Sequence, residues 1–151
     1  MSKQNIYDNE IFFMGYKKIR EREINANNLF EIPALLAMLP DLSGKWILDL
    51  GCGFGEHCKA FVMRGAAFVM GIDISERMLA VARRENSDTR IEYRHMPMED
   101  IDMIEGQFDL VVSSLAIHYV EDFRGLMEKI YGLLSPGGVL ERDWWHNNKE
   151  T

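Results

Sequence analysis

Cysteine is scarce. Cys52 and Cys58 are the only two in 151 residues, too few for a disulfide framework and not spaced as a zinc site. No metal is therefore expected. No apolar run approaches the roughly 18 residues that suggest a membrane span. The opening Met1-Ser2-Lys3-Gln4-Asn5 has no apolar core of the kind a secretion signal carries. A cytoplasmic protein without a membrane partner is the expectation. Positive charge is also short, with a net charge of −7 and no lysine or arginine block. Phosphate binding is driven by clustered positive charge, so a nucleic-acid partner is disfavoured. There is no internal repeat and no low-complexity linker. What remains has ordinary apolar and charged fractions and is long enough for a single domain, 1–151, with a real core.

What is present centres on the stretch from Trp46 to Gly55. Ile47, Leu48 and Leu50 form a short apolar run, as in a strand covered on both faces. Asp49 interrupts it, and a carboxylate there is costly unless a cation or a hydrogen-bond donor meets it. Gly51, Gly53 and Gly55 follow at alternate positions, where the missing Cβ atoms let backbone approach a ligand closely. From Glu56 the pattern turns helical, with Cys58, Phe61 and Val62 on one face. Strand, glycine turn and helix make the first half of a nucleotide-binding βαβ unit, although a plain tight turn would also account for the glycines. A second apolar strand, Phe68 to Ile74, carries Asp73 about 20 residues past the glycines, where such folds hold ribose hydroxyls. Two parallel strands would set Asp73 beside the glycine turn. In the dinucleotide fingerprint G-x-G-x-x-G the last glycine position falls on Glu56, whose charge would repel a pyrophosphate. Cys52, inside the turn, reads as a small space-filler, since no base is paired with it.

The rest of the chain alternates helical and strand patterns. Helices are expected over 6–24, with Ile6, Phe12, Phe13, Tyr16, Ile19 and Ile24 apolar, and over 26–39, with Pro33 in the first turns. Further helices are expected over 56–64, 76–86 and 122–134, the second capped by Ser75. Arg90–Arg94 alternates polar and apolar residues and suits a sheet edge, whereas Phe108–Ser114 suits a buried strand. Ser135-Pro136-Gly137-Gly138 reads as the turn that closes the last helix, with a fifth strand starting at Val139-Leu140.

Asp49, Gly51, Gly53 and Gly55 match the pattern (D/E)-x-G-x-G-x-G, motif I of the class I S-adenosylmethionine-dependent methyltransferases, which this chain resembles. Phe108–Ser114 with His118, and the turn Leu134-Ser135-Pro136-Gly137-Gly138, resemble two further signatures of that family. The resemblance runs from residue 6 to residue 140. It implies a doubly wound, mostly parallel α/β sheet of order 3-2-1-4-5 with helices on both faces, and S-adenosyl-L-methionine outside the carboxyl ends of the strands. It further implies that Asp73, with Ile74, holds the ribose. Gly51, Cys52, Gly53 and Gly55 would pass along the methionine portion, and Asp49 would orient its amino group through the loop or water. Met98 and Glu99 would frame the adenine, with Asp100 the other candidate acid and ordinary loop acids the plain alternative, although Met96-Pro97-Met98 stands where the family often has Gly-Asp-Ala. Ser114 and Leu115 would line the far wall. On an N-terminal lid, Tyr16, or else Tyr7 or Phe12, would meet the sulfonium and Arg20 the methionine carboxylate; a cover helix with solvated charges is the plain alternative. His118 is the candidate general base, with an ordinary structural histidine as its alternative.

After Leu140 the resemblance stops, and Glu141–Thr151 is polar. The family's usual last strands are then lacking, and the expectation is a shortened methyltransferase. Residues 1–40 would form a helical cover, 45–140 the core and 141–151 an atypical tail. The fifth strand would be an exposed edge, inviting a homodimer anchored by Trp144 and Trp145. The acidic balance favours a small-molecule acceptor. A cofactor-binding module without turnover, a nicotinamide-dependent oxidoreductase and an interaction fragment that binds nothing stand as alternatives.

Overall fold

The computed structural model describes Met14, residues 32–113 and residues 121–142. The expected helix over 6–24, apart from Met14, lies outside the described residues. So do the start of the helix over 26–39 and the tail bearing Trp144 and Trp145. Helix α1 (Ile32–Met38) leads to β1 (Trp46–Leu50), α2 (Glu56–Met63), β2 (Phe68–Asp73), α3 (Glu76–Glu85) and β3 (Ile91–His95). A 3-10 helix (Met98–Met103), β4 (Phe108–Ser113), α4 (Phe123–Leu133) and β5 (Leu134–Arg142) follow. The five strands form one sheet in the order β3-β2-β1-β4-β5, each neighbouring pair parallel. The doubly wound order expected from the motifs is the order found.

Alternation along the strands splits the core. Ile47, Val69, Leu110 and Val112 turn to one face, where they meet Leu35 of α1, Phe61 and Val62 of α2 and Leu79 of α3. Leu48, Leu50, Met70, Ile72 and Val111 turn to the other and pack on Ile101 of the 3-10 helix and on Leu126, Ile130 and Leu133 of α4. Helices therefore cover both faces, which is why the central strands carry apolar residues at nearly every position. Phe61 is fully buried, and its truncation to alanine would cost about 3–5 kcal/mol. Ser75 caps α3 as its position suggested, accepting the Met78 amide at 3.2 Å.

Three local features differ from the sequence reading. The loop after β3 contains a 3-10 helix, with buried Ile101 pinning it against α4. Ser135-Pro136-Gly137-Gly138 is not a separate turn. Phe108 pairs with Leu134 and Leu110 with Val139, so these four residues bulge out of β5 opposite Asp109. The bulge is held by Ser135 Oγ, which donates to Asp109 Oδ1 at 2.9 Å, while Asp109 Oδ2 accepts the Trp46 amide at 2.9 Å. β5 also runs on past Leu140, with Glu141 and Arg142 paired to Val112 and Ser113. Backbone pairing at a sheet edge does not require apolar side chains. Among the described residues β5 has β4 as its one neighbour.

Candidate functional site

Both acids singled out from the sequence stand at carboxyl ends of neighbouring strands, with Asp49 opposite Gly71 and Leu50 opposite Ile72. The chain leaves β1 through a turn in which Gly51, Gly53 and Gly55 have φ of 73°, 55° and 83°, the left-handed region that favours glycine. The turn is fastened to β2, since the Gly51 and Cys52 amides both donate to the Ile72 carbonyl at 2.9 Å. It closes on itself where the Gly55 amide donates to the Cys52 carbonyl at 3.0 Å.

Asp73 lies against this turn. Its Oδ2 accepts the Gly53 amide and its Oδ1 the Ser75 amide, each at 2.9 Å. A carboxylate has about four acceptor positions, and these two bonds orient the group beside the turn. The carbonyl of Asp73 accepts the Met96 amide at 3.0 Å, which ties the loop after β3 to the same place. Ile74 is half-buried, and its carbonyl meets His95 Nε2 at 2.9 Å. Met98 and Glu99 are half-buried at the start of the 3-10 helix, where the Glu99 carbonyl accepts from Lys129 Nζ of α4. The structure thus gathers Gly51, Cys52, Gly53, Gly55, Asp73, Ile74 and the Met98 loop at one end of the sheet.

Asp49 is placed differently. It is 2% exposed, and the Cys58 thiol donates to its Oδ2 at 3.4 Å. Burial pushes its carboxyl up to about 7. The Cys58 thiol opposes the rise, and the nearby Asp73 and Glu56 charges add to it. Hydrogen bonding with Cys52, and then burial, push the Cys58 thiol well up. The Cys52 thiol is held lower by Cys58, but burial and the charge of Asp49 outweigh that and raise it. Neutral, buried thiols suit packing rather than attack. They pack on Gly71, where a Cβ would lie 2.9 Å from Cys52 Sγ and 3.0 Å from Cys58 Sγ.

Three residues that the sequence patterns did not flag also border this end of the sheet. Ser113 closes β4, one residue past Val112, the partner of Asp49. Its hydroxyl is the one buried side-chain oxygen without a hydrogen-bond partner among the described residues. A polar residue ending an apolar strand, as at Asp73, was the available signal. Asn86 caps the end of α3, and its Nδ2 donates to the Phe54 carbonyl at 2.8 Å. Tyr93 of β3 donates its hydroxyl to the Asn86 carbonyl at 2.7 Å. Asparagine just past a helical stripe was the only hint for that pair.

Tyr16, Arg20, Ser114, Leu115 and His118 lie outside the described residues. Among the described residues there is no cluster of metal-ligating side chains and no helix long and apolar enough to cross a membrane.

A family model described as "Methyltransferase domain" matches residues 48–141, which include the glycine turn, Asp73, the Met98 loop and β5 up to Glu141. An uncharacterized protein of Haemophilus influenzae is 40% identical over 145 residues, covering 92% of this chain and 57% of that protein. The malonyl-[acyl-carrier protein] O-methyltransferase of Enterobacter lignolyticus is 36% identical over 107 residues, covering 71% of this chain and 41% of that enzyme. The crystal structure of an S-adenosylmethionine dependent methyltransferase from Mesorhizobium loti superposes with a TM-score of 0.67 at 47% identity, covering 72% of this chain and 50% of that one. The chain spans about half the length of the relatives it matches.

Proposed function

Because the chain belongs to the methyltransferase domain family of S-adenosylmethionine-dependent enzymes, we propose that it binds S-adenosyl-L-methionine at the glycine turn and donates the methyl group to a small molecule. The contact between Asp73 and the Gly53 amide carries this reading, because it sets a partly exposed carboxylate beside a glycine that has no Cβ to keep a ligand away. The residues present fit the cofactor. A Cβ on Gly53 would meet nothing nearer than Met78 Cε at 4.0 Å, which leaves backbone open to the methionine portion; Asp73 is a partly exposed carboxylate beside it, and the Ser113 hydroxyl has no partner among the described residues. When bound, the cofactor supplies a methyl group already activated by its sulfonium charge.

The protein's part is placement. Gly51, Cys52, Gly53 and Gly55 set the approach, and Asp73 with Ile74 fixes the ribose. Met98 and Glu99 flank the adenine, and Ser114 and Leu115 form the far wall. Holding the acceptor in line with the methyl group lowers the entropic part of the barrier. Asp49 sits under the turn and acts on the amino group through it. Tyr16 and Arg20 close the site from the N-terminal segment, and His118 takes the acceptor's proton. Cys52 and Cys58 are free thiols rather than a disulfide, as a reducing compartment keeps them, and a cytoplasmic location belongs to the same reading. So does a homodimer formed through the edge of β5, which has no second partner strand among the described residues.

Calorimetric titration with S-adenosylhomocysteine tests the site, and saturable binding at one site per chain is expected. No binding at millimolar ligand would refute the reading, and binding of NADH instead would favour the oxidoreductase. A methyl-transfer screen over small-molecule acceptors then separates an enzyme from a binding module, a distinction raised by the chain's partial coverage of its relatives. With a turned-over acceptor in hand, His118→Ala should cut kcat at least roughly a hundred-fold while cofactor affinity stays within about two-fold.

A further inference from the structure

We propose that Asn86 and Tyr93 are positioning residues, a brace between α3 and β3 that holds the glycine turn in the shape that receives the cofactor. The inference rests on the proposed cofactor site and assigns it two residues that never touch the ligand.

The turn has two flanks. On the β2 side the Gly53 amide is fixed by Asp73. On the α3 side the Gly55 carbonyl accepts the Lys59 amide of α2 at 3.0 Å, and the Phe54 carbonyl before it is met by a side chain. Asn86 Nδ2 reaches that Phe54 carbonyl at 2.8 Å across 32 residues of sequence. Asn86 is itself held twice. Its amide donates to the Ala82 carbonyl at 2.8 Å as the cap of α3, and its carbonyl accepts the Tyr93 hydroxyl at 2.7 Å. The same hydroxyl stands 3.5 Å from the Gly55 carbonyl. Burial pushes the Tyr93 phenol well above its ordinary range, so it keeps the proton it donates.

Shape points the same way. A Cβ on Gly55 would overlap the Tyr93 hydroxyl and lie 2.9 Å from its Cζ. The phenol therefore occupies the space this glycine leaves, at the position where α2 begins. Phe54, whose carbonyl Asn86 holds, buries its ring with Met78 and Val81 of α3. A phenylalanine at residue 93 would fill nearly the same volume. What the hydroxyl adds is a bond to the residue that props the turn.

The test uses Tyr93→Phe, which removes one oxygen, and Asn86→Asp, which keeps the shape but turns the donor into an acceptor facing a carbonyl. Affinity for S-adenosylhomocysteine is measured by calorimetry well below each variant's melting temperature. Amide hydrogen exchange of the ligand-free proteins is read residue by residue. The brace predicts affinity about five-fold weaker for Tyr93→Phe and about ten-fold weaker for Asn86→Asp, with faster exchange confined to residues 53–58. Wild-type affinity in both variants, or lower melting temperatures with unchanged affinity and unchanged local exchange, would overturn it. If the unaltered chain binds no S-adenosylhomocysteine, the cofactor reading fails, and exchange alone decides whether the brace shapes the turn. Acceleration at residues 53–58 then upholds the brace, and none refutes it.

Discussion

Asp49 and Asp73 occupy similar positions in the sequence pattern, each near the end of an apolar strand, and they meet opposite fates. Asp73 is partly exposed and receives two backbone amides at 2.9 Å. Asp49 is 2% exposed, and a thiol at 3.4 Å is the donor that meets it. Backbone amides stabilise a charged carboxylate well, whereas a thiol is a weak donor. The first acid is held in place beside the turn, where it can meet hydroxyls. The second is driven up to about 7, into the range where a small change in its surroundings changes its charge. Donor supply and burial, rather than residue type, divide the two roles.

The sharpest way to break this contrast is Asp73→Asn. The new amide group would present a donor to one of two backbone N–H groups, and the site would lose charge-assisted bonds to the ribose. Affinity for S-adenosylhomocysteine should fall at least roughly a hundred-fold. Titration showing less than a three-fold change would remove Asp73 from the site.

Asp49→Asn probes the other side. Above pH 7 the carboxyl is charged in folded and unfolded chains alike, and the folded state bears the full cost of that buried charge. Between about 7 and the ordinary carboxylate value near 4 the folded chain holds a proton that the unfolded chain has lost, so stability climbs as pH falls. Below that window both states are protonated and nothing further is gained. The variant should therefore melt higher than wild type at pH 8, by up to about 4 kcal/mol of stability, with the gap closing by pH 4. Parallel denaturation curves with no such convergence would show that Asp49 is not the group under strain.

The smallest effect belongs to Ser75→Ala. It removes the cap bond to Met78 but leaves the backbone amide that serves Asp73. A loss of about 1 kcal/mol in urea unfolding is expected, with the pH dependence assigned to Asp49 unchanged. A flattened pH profile in this variant would mean that the two acids are coupled more tightly than the geometry indicates.

Much of this was legible in the sequence. Apolar runs ending in turn signals placed β1, β2 and β4, and the crossover helices between them fixed a parallel sheet with both faces covered. The glycine turn and Asp73 came from spacing. The different burial of Asp49 was less legible, since it depends on what α2 lays over it, although Leu50 after it already put Asp49 inside the strand. The bulge in β5 was hidden because Pro136-Gly137-Gly138 has the composition of a free turn, and only pairing with β4 shows otherwise. Apart from the asparagine after the helical stripe, Asn86 and Tyr93 carried no signal, for a more basic reason: their partners are backbone carbonyls, which every residue carries.

The clamp around Asp109 has its own consequence. One carboxylate joins the first residue of β1 to the bulge of β5, across the strand that separates them. Those bonds hold the Asp109 carboxyl below the usual range, first through the Trp46 amide and then through Ser135. The floor of the sheet is riveted at the opposite end from the crevice, so the rim can exchange loops without the strands sliding. Changes at the rivet should register in unfolding, and changes at the rim in what is bound.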